Sequence, residues 1–227
     1  MKESFGQFPR IYRLENIPEA LIGRETEVFY KKNTIIVSPG DVLEGFYYIK
    51  KGRVIAFEYF PKGNEEILSI LEERSIFLES NVLLKVPAFC YFKTLEDTFV
   101  NFVKREDLLE LLAKDLNVTL YVIESIAMKL YSHVNHADEI LYYDSEWRIC
   151  NLLLTFADNF GGKEDKKIRL NIKTSQQFIS NLLGINRITT TKVISKLKQM
   201  KLIEQTDGYY YIKDIQRLRE HQKNIII

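Results

Sequence analysis

The sequence contains only two cysteines and no long apolar run, and these absences exclude several classes of protein. Cys90 and Cys150 lie far apart and form no C-x-x-C pair, so neither a disulfide framework nor a four-thiolate metal site can be built. Nowhere do about 18 uncharged apolar residues follow one another, as a membrane-spanning helix requires. Lys2 and Arg10 interrupt the N-terminal segment, which therefore does not resemble a signal peptide. We predict a cytoplasmic protein without a metal, a cofactor or a membrane contact.

Motifs of catalysis are also missing. The sequence has no nucleophile elbow, no phosphate-binding loop and no metal-ligand spacing. An enzyme would have to rely on Glu79, His133 and Asp138, and nothing beyond the residue types supports this. We therefore predict no catalytic residues.

Basic residues are concentrated in the C-terminal part of the chain. The formal net charge is only +1, but residues 146–227 contain 15 Lys and Arg against 8 Asp and Glu, whereas the preceding residues contain 17 against 23. Residues 171–201 contain six basic residues and no acidic one. Such a stretch favours binding of a polyanion, and a solvated Lys-rich face is the alternative.

Short strands rich in Val, Ile, Tyr and Phe are predicted for residues 27–103. Turn signals such as Ser38-Pro39-Gly40-Asp41 and Pro61-Lys62-Gly63-Asn64 recur roughly every 7 to 12 residues, which is typical of a small antiparallel barrel or roll. The segments 46–49 and 54–57 have few polar breaks. We therefore expect other elements to cover the outer face of the sheet.

A long helix is predicted from Leu116 onwards. Its apolar residues follow one another in alternating steps of four and three, which is the a/d pattern of a coiled coil. At ~1.5 Å per residue the stripe spans roughly 39 Å, and one narrow stripe needs a partner of the same kind. We predict a parallel homodimer, with packing onto the chain's own β domain as the alternative. The predicted interface residues are Leu120, Ile123, Ala127, Leu130, Val134, Ala137 and Leu141.

The basic stretch contains a helix-turn-helix pattern. A helical run over residues 176–183 is separated by Gly184-Ile185-Asn186 from a second run over residues 187–200, and a three-residue turn that begins with Gly is typical of this motif. Asp207-Gly208 then predicts a tight hairpin between two short apolar segments. The two patterns together indicate a winged DNA-binding module. The outward face of the second helix would carry Arg187, Ile188, Thr191, Lys192 and Ser195.

These segments together resemble the Crp/Fnr family of bacterial transcription regulators over nearly the whole chain. The match in the C-terminal part covers residues 176–197. In the β domain the matching residues are Gly40-Asp41, Tyr48-Ile49, Lys51-Gly52-Arg53-Val54 and Gly63-Asn64-Glu65-Glu66-Ile67-Leu68. The resemblance implies an α+β fold with an N-terminal antiparallel β-roll like a cyclic nucleotide-binding domain, a long dimerisation helix and a C-terminal winged helix-turn-helix. We expect the β-roll effector domain at residues 1–115, the dimerisation helix at 116–143 and the DNA-binding domain at 144–227.

The ligands known for the family fit this sequence poorly. Members that bind cyclic nucleotides hold the ribose with a Gly-Glu pair and the phosphate with an Arg, whereas the equivalent segments here read Phe77-Leu78-Glu79-Ser80 and Pro87-Ala88-Phe89-Cys90. A buried phosphate without its guanidinium would be several kcal/mol less stable, so cyclic AMP is not expected. Iron-sulfur members need N-terminal cysteines and haem members need a His near the end of the roll, and this chain has neither.

The resemblance instead implies an unidentified small effector between the β-roll and the long helix. A cavity lined by aromatic rings with one ammonium suits a small aromatic or apolar anion, and the alternative is a filled core with Lys129 in solvent. Phe92 is expected in the same wall. The candidate effector-binding residues are Phe77, Glu79, Ser80, Phe89, Tyr91, Tyr121, Lys129 and His133.

The base-reading positions implied by the resemblance are Arg187, Ile188 and Lys192. Arg187 can bind O6 and N7 of guanine bidentately, and Lys192 can do so less rigidly. Ile188 stands where many family members carry a carboxylate, so the half-site should differ at that base pair. Contacts to phosphates are expected from Thr174, Ser175 and Thr189, and Lys198 and Lys201 should strengthen binding to any sequence. Gln176 and Thr191 complete the candidate DNA-contacting set.

The expected partners are palindromic double-stranded DNA, a second copy of the chain and RNA polymerase. Two other modes of control stay open. One is a regulator whose roll binds no effector, and the other is a redox switch through Cys90 or Cys150, which serine at both positions would test.

Overall fold

The computed structural model describes residues 11–59, 65–164 and 166–225. They fall into two compact units, one within residues 10–133 and one within residues 134–227. The fold is α+β, as predicted. The predicted turn at Pro61-Lys62-Gly63-Asn64 and the Gly63-Asn64 part of the family match lie outside the described residues.

The first unit contains two sheets that form the predicted β-roll. One sheet has the strand order β1-β6-β5-β8-β3 and the other β2-β9-β4-β7, and every pair is antiparallel except the short β1–β6 pair. The strands are β1 (Ile11–Tyr12), β2 (Thr26–Tyr30), β3 (Ile35–Val37), β4 (Gly45–Lys51), β5 (Val54–Tyr59), β6 (Glu65–Leu71), β7 (Ile76–Phe77), β8 (Tyr91–Thr94) and β9 (Thr98–Lys104).

Strand β4 contributes to two apolar cores, one on each of its faces. Tyr47 and Ile49 pack in the interior of the roll, whereas Phe46 and Tyr48 pack outside it. The outer core includes Leu108 from helix α2 (Arg105–Lys114) and residues from the first turns of helix α3 (Leu116–Tyr142). The outer face of this strand is therefore covered, as the lack of polar breaks predicted.

Helix α3 presents its apolar stripe to solvent in the single chain. The seven predicted interface residues and Leu116 are all exposed, with Leu130 exposed at 64%. The opposite side of the helix is buried through Val118, Tyr121 and Val122. The alternative in which the stripe packs onto the chain's own β domain is therefore wrong, because a different face of the helix makes those contacts.

The second unit is a winged helix-turn-helix. A four-stranded antiparallel sheet with the order β10-β11-β13-β12 accompanies the helices. The sequence did not predict the β10–β11 hairpin or the last helix. The elements are α4 (Ser145–Phe160), β10 (Gly161–Glu164), β11 (Lys167–Leu170), α5 (Gln176–Leu183), α6 (Arg187–Gln199), β12 (Ile203–Thr206), β13 (Tyr209–Ile212) and α7 (Ile215–Lys223).

Turn residues fix the geometry of this unit. Gly184 ends α5 with a φ of 61°, in the left-handed region that a residue without Cβ adopts at little cost. Asp207 and Gly208 have φ values of 52° and 82°, and Thr206 pairs with Tyr209 across the turn. Two consecutive positive φ values are the mark of a type I′ hairpin, so the tight hairpin predicted from Asp-Gly is present.

Candidate functional site

The outward face of α6 carries exposed polar and cationic side chains, whereas its inward face is mainly apolar. Arg187, Thr191 and Lys192 are exposed, and Ile188 is exposed at 67%. The opposite face is buried, and Thr190 accepts a hydrogen bond from Ser180 of α5 at 3.0 Å. This contact joins the buried sides of α5 and α6. Packing between the two helices therefore positions the exposed face of α6.

The start of α5 is joined to α6 by side chains. Ser175 caps α5, because its Oγ accepts a hydrogen bond from the backbone N–H of Phe178 at 3.0 Å, which leaves the hydroxyl hydrogen to donate outward. Thr191 Oγ1 donates to Gln176 Oε1 at 2.7 Å. This contact engages the amide oxygen of Gln176 and does not involve its amide nitrogen.

Thr174 does not lie on this surface. Its side chain is only 2% exposed, and its Oγ1 is buried without a hydrogen-bond partner in the described part of the chain. The predicted phosphate contact of this side chain is therefore wrong, because the hydroxyl points into the unit. Thr189 is half-buried, and Lys201 is exposed.

The Lys198 side chain is engaged in contacts within the second unit. Its ammonium donates to Gln205 Oε1 at 3.0 Å and lies 5.7 Å from the centre of the Tyr210 ring. These contacts join α6 to the wing, the hairpin formed by β12 and β13. The expected role of Lys198 in binding any DNA sequence is therefore weakened.

Ion pairs divide the cations of the second unit into two groups. Lys196 binds Glu146 at 2.7 Å, Arg219 binds Asp158 at 3.3 Å, and Glu204 binds both Lys167 and Lys213. The Glu146 carboxylate also lies 2.8 Å from His221 Nε2. By contrast, within residues 11–59, 65–164 and 166–225 neither Arg187 nor Lys192 has a carboxylate partner. The outward-facing cations of α6 are therefore among those that an external anion can reach.

The first unit contains a cavity of about 260 Å³ beside the middle of α3. Its walls are mainly apolar, and Lys129 and His133 contribute the basic side chains. The described lining residues include no arginine. They are Tyr12, Ala56, Leu68, Ser69, Leu71, Phe77, Leu78, Glu79, Ser80, Asn81, Phe89, Cys90, Phe92, Ile126, Lys129, Leu130 and His133.

An ion pair with a buried carboxylate forms the polar wall of this cavity. The Glu79 side chain is 1% exposed and accepts hydrogen bonds from Lys129 Nζ and, at 2.9 Å, from Ser125 Oγ. Lys129 Nζ also donates to the carbonyl oxygen of Ile76 at 2.8 Å. The predicted ammonium is therefore present but already paired with Glu79, and the Lys129 side chain is 21% exposed. Ser125 was not among the predicted residues, although its place four residues before Lys129 on one helix is a usable signal.

Leu78 stands at the position where, by the family resemblance, members that bind cyclic nucleotides carry glycine. Its φ is 72°, in the left-handed region, at the N-terminal end of helix α1 (Glu79–Leu84). This conformation costs a residue with a Cβ about 1–2 kcal/mol relative to glycine. The Leu78 side chain is buried and lines the cavity, so it reduces the space that a smaller residue would leave.

Two of the predicted effector residues lie away from the cavity. Tyr91 stacks on Phe57 at a centroid distance of 5.0 Å, and the Tyr121 hydroxyl donates to the carbonyl oxygen of Arg74. Neither residue lines the cavity. The structure does bring together the other six, which are Phe77, Glu79, Ser80, Phe89, Lys129 and His133.

Both cysteines are buried and lie in different units. Burial raises the pKa of Cys90 to about 12 and the pKa of Cys150 to about 12. Since the thiolate is the reactive form of cysteine, both side chains are protonated and unreactive near neutral pH. Cys90 contributes its thiol to the cavity wall.

Comparison with known families assigns the two units to known domain types. The family model described as "Cyclic nucleotide-binding domain" matches residues 27–115, and the one described as "Crp-like helix-turn-helix domain" matches residues 148–221. No helix in the described part of the chain is long and apolar enough to cross a membrane.

Curated relatives are regulators of transcription. The chain is 22% identical over 176 residues to the "Global nitrogen regulator" of Nostoc sp. (strain PCC 7120 / SAG 25.82 / UTEX 2576), covering 77% of this chain and 79% of that protein. It is 22% identical over 199 residues to the "CRP-like cAMP-activated global transcriptional regulator" of Mycobacterium tuberculosis (strain H37Rv), covering 88% and 89%.

Solved structures share the fold. A CooA mutant from Carboxydothermus hydrogenoformans matches with a TM-score of 0.76 at 20% identity, covering 89% of each chain. The regulator CLP of Xanthomonas campestris, described as c-di-GMP responsive, matches with a TM-score of 0.77 at 16% identity, covering 86% of this chain and 97% of that one.

The two domain types, in this order, define a DNA-binding transcription regulator rather than an enzyme. The chain belongs to the Crp/Fnr family.

The Lys129–Glu79 pair should be essential to the stability of the first unit. Lys129→Met leaves a buried carboxylate without its cation, and we expect the free energy of unfolding to fall by about 3–5 kcal/mol. Glu79→Gln combined with Lys129→Met should recover much of this loss, because no charge is then left unpaired. Urea unfolding followed by circular dichroism measures both effects.

Lys114 provides the control, because its ammonium binds Glu110 at 3.0 Å and both side chains are exposed, at 70% and 42%. Lys114→Met should cost about 1 kcal/mol or less. Equal losses for Lys114→Met and Lys129→Met would contradict a special role for the pair with the buried carboxylate.

Proposed function

We propose that this regulator is a cytoplasmic homodimer that binds palindromic DNA and responds to a small non-nucleotide effector. In this proposal residues 1–115 sense the effector, residues 116–143 dimerise and residues 144–227 bind DNA. RNA polymerase is the proposed downstream partner. The exposed apolar stripe of α3 is the observation that carries the proposal, because a two-fold symmetric DNA reader needs such a surface.

The stripe is well suited to self-association. Its residues follow the a/d pattern along 27 residues of continuous helix, and they remain exposed in the single chain. A long exposed apolar surface on a helix is unfavourable in water and favours burial against an equivalent surface.

Leu120→Glu should dissociate the dimer. In a parallel pair of helices the two introduced carboxylates would face each other across the seam and repel. Sedimentation equilibrium of the wild type should give a dimer at micromolar concentration, and Leu120→Glu should give a monomer with much weaker binding to a palindromic duplex. Leu109→Glu, at an exposed leucine of α2 outside the stripe, should remain dimeric. A monomeric wild type would refute the proposal.

The exposed face of α6 supports sequence-specific reading. Arg187 and Lys192 have no carboxylate partner among the described residues and lie with Ile188 on one exposed surface. In the proposed complex Arg187 and Lys192 bind guanine edges and Ile188 contacts an apolar group such as a thymine methyl. Ser175, Gln176 and Thr189 contact or approach phosphates, with Thr191 holding Gln176.

Arg187→Ala should cost about 1–3 kcal/mol of binding free energy and relax the preference at a single base pair. Selection of binding sites from random DNA, done with the wild type and the variant, measures the preference. The matched control is Arg219→Ala, because Arg219 is paired with Asp158, and its selected sites should equal those of the wild type. An unchanged preference in Arg187→Ala would contradict the assignment.

The cavity of the first unit supports a small, mostly apolar effector. Its volume of about 260 Å³ is modest, its walls carry the stacked rings of Phe77 and Phe92, and the Leu78 side chain also lines it. The paired Lys129 gives no net attraction to a charged ligand, so a neutral aromatic molecule fits better than the aromatic anion first expected. A redox switch is not favoured, because both thiols are buried and protonated. A roll without any effector is the remaining alternative.

Titration with phenol and with phenylacetate tests the cavity. Thermal unfolding of the wild type should shift upwards with phenol, since a ligand that binds only the folded state at about 100 times its Kd stabilises by ~2.7 kcal/mol. Phenylacetate should act more weakly. Ala56→Ile, which fills the cavity, should abolish the shift, whereas Ala113→Ile, at an exposed position of α2, should not. Equal shifts in both variants would place the binding elsewhere.

A further inference from the structure

Two cations from outside the wing, which is the β12–β13 hairpin, lie near the ring of Tyr209 at its turn. The guanidinium carbon of Arg169 on β11 lies 4.0 Å from the centre of the Tyr209 ring, and Lys173 Nζ lies 5.1 Å from the same centre. The two cations are therefore no more than about 9 Å apart. They form a compact positive site at the end of the hairpin.

These two cations differ from their neighbours on the same sheet. Lys167 and Lys213 are neutralised by Glu204, with Lys213 Nζ at 3.4 Å from the carboxylate. Within the described residues, neither Arg169 nor Lys173 has a carboxylate partner, and the Arg169 Nε is buried without a hydrogen-bond acceptor. Two like charges held this close without a counter-charge repel each other, so an external anion would stabilise the arrangement.

Both cations lie near the Tyr209 ring, and the backbone of Tyr209 is held by the turn that precedes it. Tyr209 follows the two-residue Asp207-Gly208 turn and pairs in register with Thr206. A type I′ turn admits few other backbone conformations. Tyr209 is therefore a rigid support, and stacking of a guanidinium on its face restricts Arg169 to a small set of orientations.

The positive site is continuous with the surface proposed to read DNA. Lys173 precedes Ser175 and Gln176 in the chain, and Gln176 is bonded to Thr191 of α6 at 2.7 Å. A single stretch of chain thus leads from the wing to the exposed face of α6. DNA that contacts Arg187 and Lys192 would extend its backbone along this stretch.

We propose that Arg169 and Lys173 bind backbone phosphates of duplex DNA beside the bases contacted by α6, and that Tyr209 positions Arg169. This inference rests on the proposed DNA-reading function of α6. Cations that contact phosphates strengthen binding to every sequence and carry no base preference. The site therefore sets affinity and its salt dependence, whereas α6 sets sequence preference.

The salt dependence of DNA binding tests the inference. Full-length wild type, Arg169→Gln, Lys173→Gln and the double variant are titrated against the duplex selected by the wild type, with fluorescence anisotropy at several salt concentrations. Each lost phosphate contact should reduce the slope of log K against log salt by about 0.9 and the affinity about eightfold at ~0.1 M salt. The double variant should lose about two contacts, with the same selected sequence.

Lys213→Gln is the matched control, because it removes one positive charge from the same sheet at a lysine already paired with Glu204. Its slope should equal that of the wild type. Tyr209→Leu removes the aromatic support and should lower the slope, while Tyr209→Phe retains the ring and should restore the wild-type slope. Thermal unfolding verifies that each variant is folded.

The outcomes separate the two proposals. A wild type that binds no duplex at low salt would refute the DNA-reading function itself. A wild type that binds DNA, with an unchanged slope in the double variant, would refute only the wing site. Equal effects of Lys213→Gln and Arg169→Gln, or a changed base preference in either Arg169 or Lys173 variant, would also refute it. Loss of transcription activation with unchanged DNA binding would indicate an acidic protein partner instead, and would equally overturn the inference.

Discussion

The exposed apolar stripe of helix α3 is the constraint on which the proposed mode of action depends. Its leucine, isoleucine and valine side chains remain in water in the single chain, and burial of each such side chain contributes up to roughly 1.5–3 kcal/mol. Only an extended helical partner can cover a surface this long and narrow. A symmetric pair along α3 would use the same helix for self-association through one face and for packing against the β-roll through the other. Effector sensing and dimerisation would then share one rigid element.

The sequence was most informative where local chemistry fixes the structure. The a/d spacing located α3, Gly184 located the turn between α5 and α6, and Asp207-Gly208 located the hairpin. Each of these signals lies within a few residues of the feature that it predicts, so it needs no knowledge of distant contacts. The outward face of α6 followed in the same way, because the helical period alone separates Val193 and Ile194 from the exposed residues.

Contacts between distant residues could not be predicted in this way. Thr174 was placed on the DNA surface because it precedes a helix, but the packing of the unit buries it. The ion pair of Lys129 was not predicted, because its partner, Glu79, is 50 residues away in the chain. Helix α7 contains only two apolar residues, Ile215 and Leu218. It is held to α4 by Glu146–His221 and by a hydrogen bond from Gln222 to Asn151. These features depend on contacts between residues that are far apart in the chain. Local patterns in a single sequence do not reveal such contacts.

Glu204 has a consequence for how the protein would search a chromosome. Its carboxylate neutralises Lys167 and Lys213. These two lysines therefore attract DNA of arbitrary sequence less strongly than unpaired lysines would. Electrostatic binding without base contacts slows a regulator at the very large number of irrelevant sites in a genome, and the ratio of specific to non-specific affinity determines occupancy of the operator. One acidic side chain on the sheet would thus keep the protein from being sequestered by bulk DNA.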